Sequence, residues 1–145
     1  MLTAIIDYES GNLHSAEKAF QRMALEVDAG DVVVTADPDV IAGADRLVLP
    51  GDGAFPACAT ALRTSGAFAA MVEAVEVKAR PFLGICVGMQ LLASRGLEYT
   101  VTQGLGWIAG DVRRIVPQGG GLKIPQMGWA GSTVWSNGSY PLTQQ

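Results

Sequence analysis

Four short apolar runs, Leu2 to Asp7, Val32 to Val34, Arg46 to Leu49 and Pro81 to Ile85, are separated by stretches whose apolar residues recur at helical spacing. Continuous runs of this length, bounded by turn residues, suit strands buried on both faces of a parallel sheet. After the turn-forming Glu9-Ser10-Gly11-Asn12, residues Leu13, Ala16, Phe20 and Met23 fall on one side of a helix, with Glu17, Lys18, Gln21 and Arg22 on the other. Asp37 and Pro38 open a short helix to Ala42, and Cys58 falls on another. Gly66 to Lys78 carries Phe68, Met71, Val72 and Val75 at helical spacing, and Val87 to Ser94, apolar nearly all round, reads as a helix packed inside the domain. Beyond Gly96 the alternation gives way to glycine-punctuated short strands and loops, such as Asp111 to Val116. The expected fold is α/β, a mostly parallel sheet with helices on both faces, as one domain over residues 1–145. Its chemistry should lie at the carboxyl ends of the strands.

Composition narrows the function classes. With 49% hydrophobic and 17% charged residues the chain is no disordered segment. Ten basic against fourteen acidic residues, with no basic run, give no footprint for a nucleic acid. No apolar run approaches the roughly 20 residues of a membrane span, and the N-terminal stretch lacks the pattern of a secretory signal, so a cytoplasmic protein is expected. The two cysteines, Cys58 and Cys86, lie in dissimilar contexts and are read as free thiols, without a disulfide framework or a zinc site.

The strongest chemical signal is Gly84-Ile85-Cys86-Val87-Gly88, a G-x-C-x-G sequence between a predicted strand and a predicted helix. It has the form of a nucleophile elbow. The nucleophile on such a turn takes a strained backbone conformation, and glycines two positions away on either side let strand and helix approach closely. Unpaired amides at the start of the helix favour a thiolate. A buried core cysteine, the bland alternative, leaves both glycines unexplained. Cys58, between Ala57 and Ala59 and without flanking glycines, fits that structural role instead. The second signal is Leu49-Pro50-Gly51-Asp52-Gly53-Ala54-Phe55, directly after the third strand. Its glycines can turn backbone N–H groups toward a developing oxyanion, although a P-G-x-G turn alone is often only a connection.

Together the two elements resemble the class I glutamine amidotransferases, whose fold is flavodoxin-like. Further stretches resemble one branch, the glutaminase subunit of imidazole glycerol phosphate synthase. They are Asp7 to Leu13 with Ser15, Gly104-Leu105-Gly106-Trp107-Ile108 with Gly110, and Lys123-Ile124-Pro125-Gln126-Met127-Gly128-Trp129. The resemblance covers residues 2 to about 130. It implies glutamine as substrate, Cys86 as the nucleophile that forms a glutamyl thioester, and hydrolysis to glutamate and ammonia. Backbone near Gly51, Asp52, Gly53 and Val87 would hold the oxyanion, and Gln90 would contact glutamine. Ammonia would pass to a barrel-shaped cyclase partner in a heterodimer, with lyase chemistry there serving histidine biosynthesis. Asn12, Pro125, Gln126 and Trp129 would face that partner. No cofactor or metal is implied.

The match departs from the family in identifiable places. The histidine and glutamate that complete the family's catalytic triad have no counterpart in these residues, so the domain reads as C-terminally incomplete. His14, the sole histidine, sits at a variable position near a helix start. Glu9 replaces a usual glycine and Asp52 a usual apolar residue, whose charge would oppose an oxyanion unless turned away. Gln126 and Ala130 replace a histidine and an asparagine. The alternative reading is a truncated, non-catalytic amidotransferase-like module that only binds a partner. Trp107, Trp129 and Trp135 can serve either as partner anchors or as core packing.

Overall fold

A computed structural model of the chain describes residues 1–11 and 13–116. Asn12, Pro125, Gln126, Trp129, Ala130 and Trp135 therefore lie outside the described residues. The first compact unit is Met1–Arg114; of the second, Ile115–Gln145, only Ile115 and Val116 are described, both exposed.

Within the first unit the expected rhythm is present. Strand β1 (Leu2–Ile6) leads to helix α1 (Leu13–Glu26), β2 (Asp31–Thr35), α2 (Pro38–Gly43), β3 (Arg46–Leu49) and α3 (Phe55–Thr64). Next come α4 (Ala67–Val72), a π-helical turn (Glu73–Val77), β4 (Phe82–Gly84) and α5 (Val87–Gln90). Asp37 caps α2 by accepting from the Asp39 amide at 2.9 Å, and Pro38 fills the first helical position, as its sequence signal implies.

All pairings in this sheet are parallel, in the order β2-β1-β3-β4. That order is flavodoxin-like: the chain runs from β1 to β2 on one side and then crosses back past β1 to β3 on the other, and this reversal opens a crevice at the carboxyl ends of β1 and β3. The core is the apolar filling of these strands and helices, with Ile6, Leu49, Phe55, Leu62, Met71 and Leu91 almost without exposure. Trp107 packs against this core, edge-on to Phe82 with ring centroids 5.0 Å apart, and its indole N–H donates to Glu76 at 2.7 Å. Its ring thus packs against the domain itself. No helix among the described residues is long and apolar enough to cross a membrane.

One expectation requires correction. The helix predicted over Val87 to Ser94 ends at Gln90, and Ala93–Gly96 forms strand β5 in a second sheet, paired with β6 (Thr102–Gln103) and β7 (Ile108–Val112). The carbonyls that would continue the helix are taken by other amides. Leu91 O accepts from Leu105 N at 2.7 Å, Leu92 O from Ile108 N at 2.8 Å, Ala93 O from Gly106 N at 3.1 Å and Ser94 O from Gly104 N at 3.0 Å. A short apolar run reads alike as buried helix or buried strand, and here the long-range pairing decides.

Candidate active site

The register of β3 and β4 brings the two glycine-bearing segments together. Leu49 pairs with Gly84 at the carboxyl ends of the strands, and the Ile85 amide extends the pairing by donating to the Leu49 carbonyl at 2.9 Å. The next residues, Pro50 and Gly51 on one side and Cys86 on the other, leave the sheet side by side. Cys86 then turns at φ 56°, ψ −121°, a conformation that side chains rarely adopt, and stands as the N-cap of α5 with its thiol-bearing side chain exposed. This is the strained elbow expected from the G-x-C-x-G spacing.

Three glycines make the turn possible. A Cβ on Gly84 would lie 2.6 Å from the Met89 Cα, one on Gly88 would lie 2.0 Å from the Leu49 carbonyl oxygen, and one on Gly51 would lie 2.3 Å from the Gly88 nitrogen. Loop, strand and helix thus meet backbone to backbone around Cys86. Because α5 is only one turn long, the influence on the thiol is that of nearby amides rather than of a long helix dipole. By its position at the start of the helix, the Val87 N–H has no partner within α5.

The loop after β3 is fixed from several directions. Gly53 takes φ +102°, open to glycine at little cost. The Asp52 side chain turns onto Gly11, whose missing Cβ would lie 2.9 Å from Oδ2, so the carboxylate packs on the β1–α1 loop. Beneath the loop, the Tyr8 hydroxyl donates to the Pro50 carbonyl at 2.7 Å and the Cys58 thiol to the Asp52 carbonyl at 3.2 Å. Burial raises the Tyr8 hydroxyl to about 12 and pushes the Cys58 thiol up as well. Cys58 is therefore structural, as its sequence context suggested, and is 3% exposed.

Beside the elbow lies an open cavity of about 580 Å³, lined in part by Gly53, Val87, Gln90, Glu98, Tyr99 and Arg113. It joins three residues singled out in the sequence, Gly53, Val87 and Gln90, and adds Glu98, which the sequence reading passed over. The Glu98 Oε2 accepts from the Phe55 amide at 2.8 Å, which ties the segment after β5 to the start of α3. The only local signal for it is an acidic residue just past a strand end, since Glu98 belongs to no spaced motif. His14 is exposed on α1, 3.9 Å from Glu17, and does not line this cavity.

An exposed thiol on a strained turn, next to glycine-bearing backbone and a cavity of this size, can attack a carbonyl carbon while amides receive the oxyanion. Comparison with known proteins agrees with such chemistry. The family described as Glutamine amidotransferase class-I matches residues 4–127. The chain is 73% identical over 130 residues to the imidazole glycerol phosphate synthase subunit HisH of Ruegeria pomeroyi, covering 89% of this chain and 61% of that protein. Against the subunit of the same description from Cereibacter sphaeroides the identity is 62% over 135 residues, covering 92% of this chain and 64% of the relative. For that of Bradyrhizobium diazoefficiens it is 60% over 131 residues, covering 89% and 61%. The chain thus spans less than two thirds of the length of these curated relatives.

Proposed function

The chain belongs to the class-I glutamine amidotransferases, and from that premise we propose that it carries the nucleophile-bearing part of the glutaminase of imidazole glycerol phosphate synthase. The observation that carries the reading is Cys86 at φ 56° on an elbow that Gly51 and Gly88 pack together. In this reading the Cys86 sulfur adds to the side-chain carboxamide carbon of glutamine, and the carbonyl oxygen takes up negative charge facing amides near Gly51, Asp52, Gly53 and Val87. The amide nitrogen then takes up a proton as the C–N bond breaks, so that ammonia leaves, and water hydrolyses the glutamyl thioester to glutamate and the free thiol. Gln90 contacts the bound glutamine, and the Glu98 carboxylate in the same cavity complements its ammonium group.

The ammonia serves a cyclase partner in histidine biosynthesis, within a cytoplasmic heterodimer whose lyase chemistry resides in the cyclase. Asn12, Pro125, Gln126 and Trp129 belong to the partner-facing set, with Gln126 and Ala130 weakening communication relative to the family pattern. Proton transfer to the leaving ammonia and from the deacylating water needs a base beyond those lining the cavity. The 145-residue polypeptide by itself is therefore a weak or inactive glutaminase. The test is glutamate release and ammonia transfer measured with the purified cyclase, for the native gene product and its Cys86→Ala variant. Transfer that survives loss of the thiol would defeat the reading.

A further inference from the structure

Two buried side chains that play no part in the attack itself hold the loop over the elbow from beneath. Tyr8 lies two residues beyond β1 and Cys58 in the first turn of α3, and they are 2% and 3% exposed. They come from different elements, yet each donates to a carbonyl of the same loop. The carbonyls on either side of Gly51, those of Pro50 and Asp52, are thus drawn toward one place in the core, at 2.7 Å and 3.2 Å from their donors. In a trans peptide the N–H points opposite to its C=O. The amides that share those peptide units, of Gly51 and Gly53, are accordingly sent away from the core, and Gly53 lines the cavity beside Val87 and Gln90.

We propose that Tyr8 and Cys58 are positioning residues for acyl transfer, whose hydroxyl and thiol fix the Pro50 to Gly53 loop so that its amides face the site of the oxyanion. The proposal rests on the reading of Cys86 as a glutaminase nucleophile. A loop with glycine at two of four positions has wide conformational freedom, so its amide directions must be imposed by contacts rather than by its own dihedral preferences. Burial keeps both donors protonated at neutral pH, so the anchors are present under working conditions. Removing an oxyanion donor outright costs about 10²- to 10³-fold in rate, and loosening one through a lost anchor should cost roughly tenfold.

The experiment compares two reagents on the chain, read at the Cys86 peptide by mass spectrometry. A chloromethyl ketone analogue of L-glutamine forms a C–S bond with loss of chloride while charge develops on its ketone oxygen; iodoacetamide alkylates the same sulfur without that demand. Tyr8→Phe and Cys58→Ala should each slow the ketone reaction about tenfold and leave iodoacetamide within about twofold, and Cys58→Ser, which keeps a donor, should recover most of the loss. The Cys58 pair decides the matter if Tyr8→Phe does not fold. Equal slowing of both reagents, or of neither, overturns the proposal. A native chain that reacts no faster with the L analogue than with its D enantiomer would instead defeat the glutaminase reading. An L preference that persists undiminished in the variants would defeat only the positioning role.

Discussion

A methyl group placed on Gly51 would lie 2.3 Å from the amide nitrogen of Gly88, so the loop after β3 and the helix after Cys86 approach backbone to backbone. The same helix position has a second close neighbour, the Leu49 carbonyl, at 2.0 Å from a Cβ on Gly88. In an open helix Gly→Ala gains about 1 kcal/mol. Here the added carbon meets backbone, which cannot yield as a flexible side chain does, and overpacking costs about 1 to 3 kcal/mol. Gly88→Ala is thus expected to destabilise the fold and to reduce Cys86 labelling, as read by urea unfolding and by thiol mass spectrometry. A stabilised Gly88→Ala variant would contradict the close packing.

The strain at Cys86 gives a second prediction, in which two substitutions that both remove the thiol differ in stability. At φ 56°, ψ −121°, a residue with a Cβ carries strain of about 1 to 3 kcal/mol, whereas glycine carries little. Glycine also loses about 0.4 to 1 kcal/mol through the freedom of its unfolded chain. The first term exceeds the second. Cys86→Gly should therefore unfold at higher temperature than Cys86→Ala by the equivalent of about 1 kcal/mol, and both should be inert to a glutamine-like electrophile.

What could be read from the sequence follows from the range of the interactions involved. The β1 to β4 rhythm was legible because each strand is a continuous apolar run, and the elbow because G-x-C-x-G records a backbone approach that only glycine permits. Glu9 shows the same logic in reverse, since it takes φ 65° where the resembling family uses glycine. The first two residues of β5 fall within the helix expected over Val87 to Ser94, because the strand depends on amides of residues 104 to 108 that no local pattern announces. Glu98 and the Tyr8 and Cys58 anchors escaped for a related reason. Their partners, Phe55, Pro50 and Asp52, are 43, 42 and 6 residues away in sequence.

The two thiols should differ sharply in reactivity. Cys86 is exposed at the elbow, while Cys58 is buried, donates to the Asp52 carbonyl, and has its pKa raised mainly by burial. The thiolate is the nucleophile, so a raised pKa and restricted access both slow Cys58. Substoichiometric iodoacetamide near neutral pH should modify Cys86 first, by a wide margin in peptide mass spectra. Modification of Cys58 at a comparable rate would require the loop after β3 to open readily.

Alkaline stability should report on Tyr8. Burial raises its hydroxyl from the ordinary value of 10.0 to about 12, so the folded chain retains a proton that the unfolded chain has lost. Stability from this group is complete below about pH 10 and declines as pH rises toward 12. Two units correspond to about 2 to 3 kcal/mol. The upward shift of Cys58 acts in the same direction, beginning nearer its ordinary value of 9.0. The midpoint of urea unfolding should fall as pH rises from 9 to 12, and the fall between 10 and 12 should be smaller in Tyr8→Phe. An identical decline in both chains would assign the effect to other groups.

The last prediction concerns proton transfer, on which turnover by residues 1–145 depends. An exposed thiol on the elbow suffices for a single alkylation, since only one bond must form. Complete hydrolysis asks more, because ammonia must leave protonated and water must lose a proton to attack the thioester. Positioned acid–base catalysis contributes about 10²- to 10⁴-fold to such steps. The sole histidine, His14, is exposed on α1 beside Glu17 and does not line the cavity. Glu98 lines it, but the Phe55 amide engages its Oε2. The 145-residue polypeptide should therefore release glutamate only at trace rate, and an extension that adds the histidine and glutamate of the resembling family should raise that rate by about 10²-fold or more. Glutamate release is measured for both forms with the cyclase and its ligand present. Strong turnover by the shorter form that disappears with Cys86→Ala, and persists in His14→Gln, would place the base elsewhere in these residues or on the partner. Strong turnover abolished by His14→Gln would assign it to His14 and require α1 to approach the elbow during catalysis.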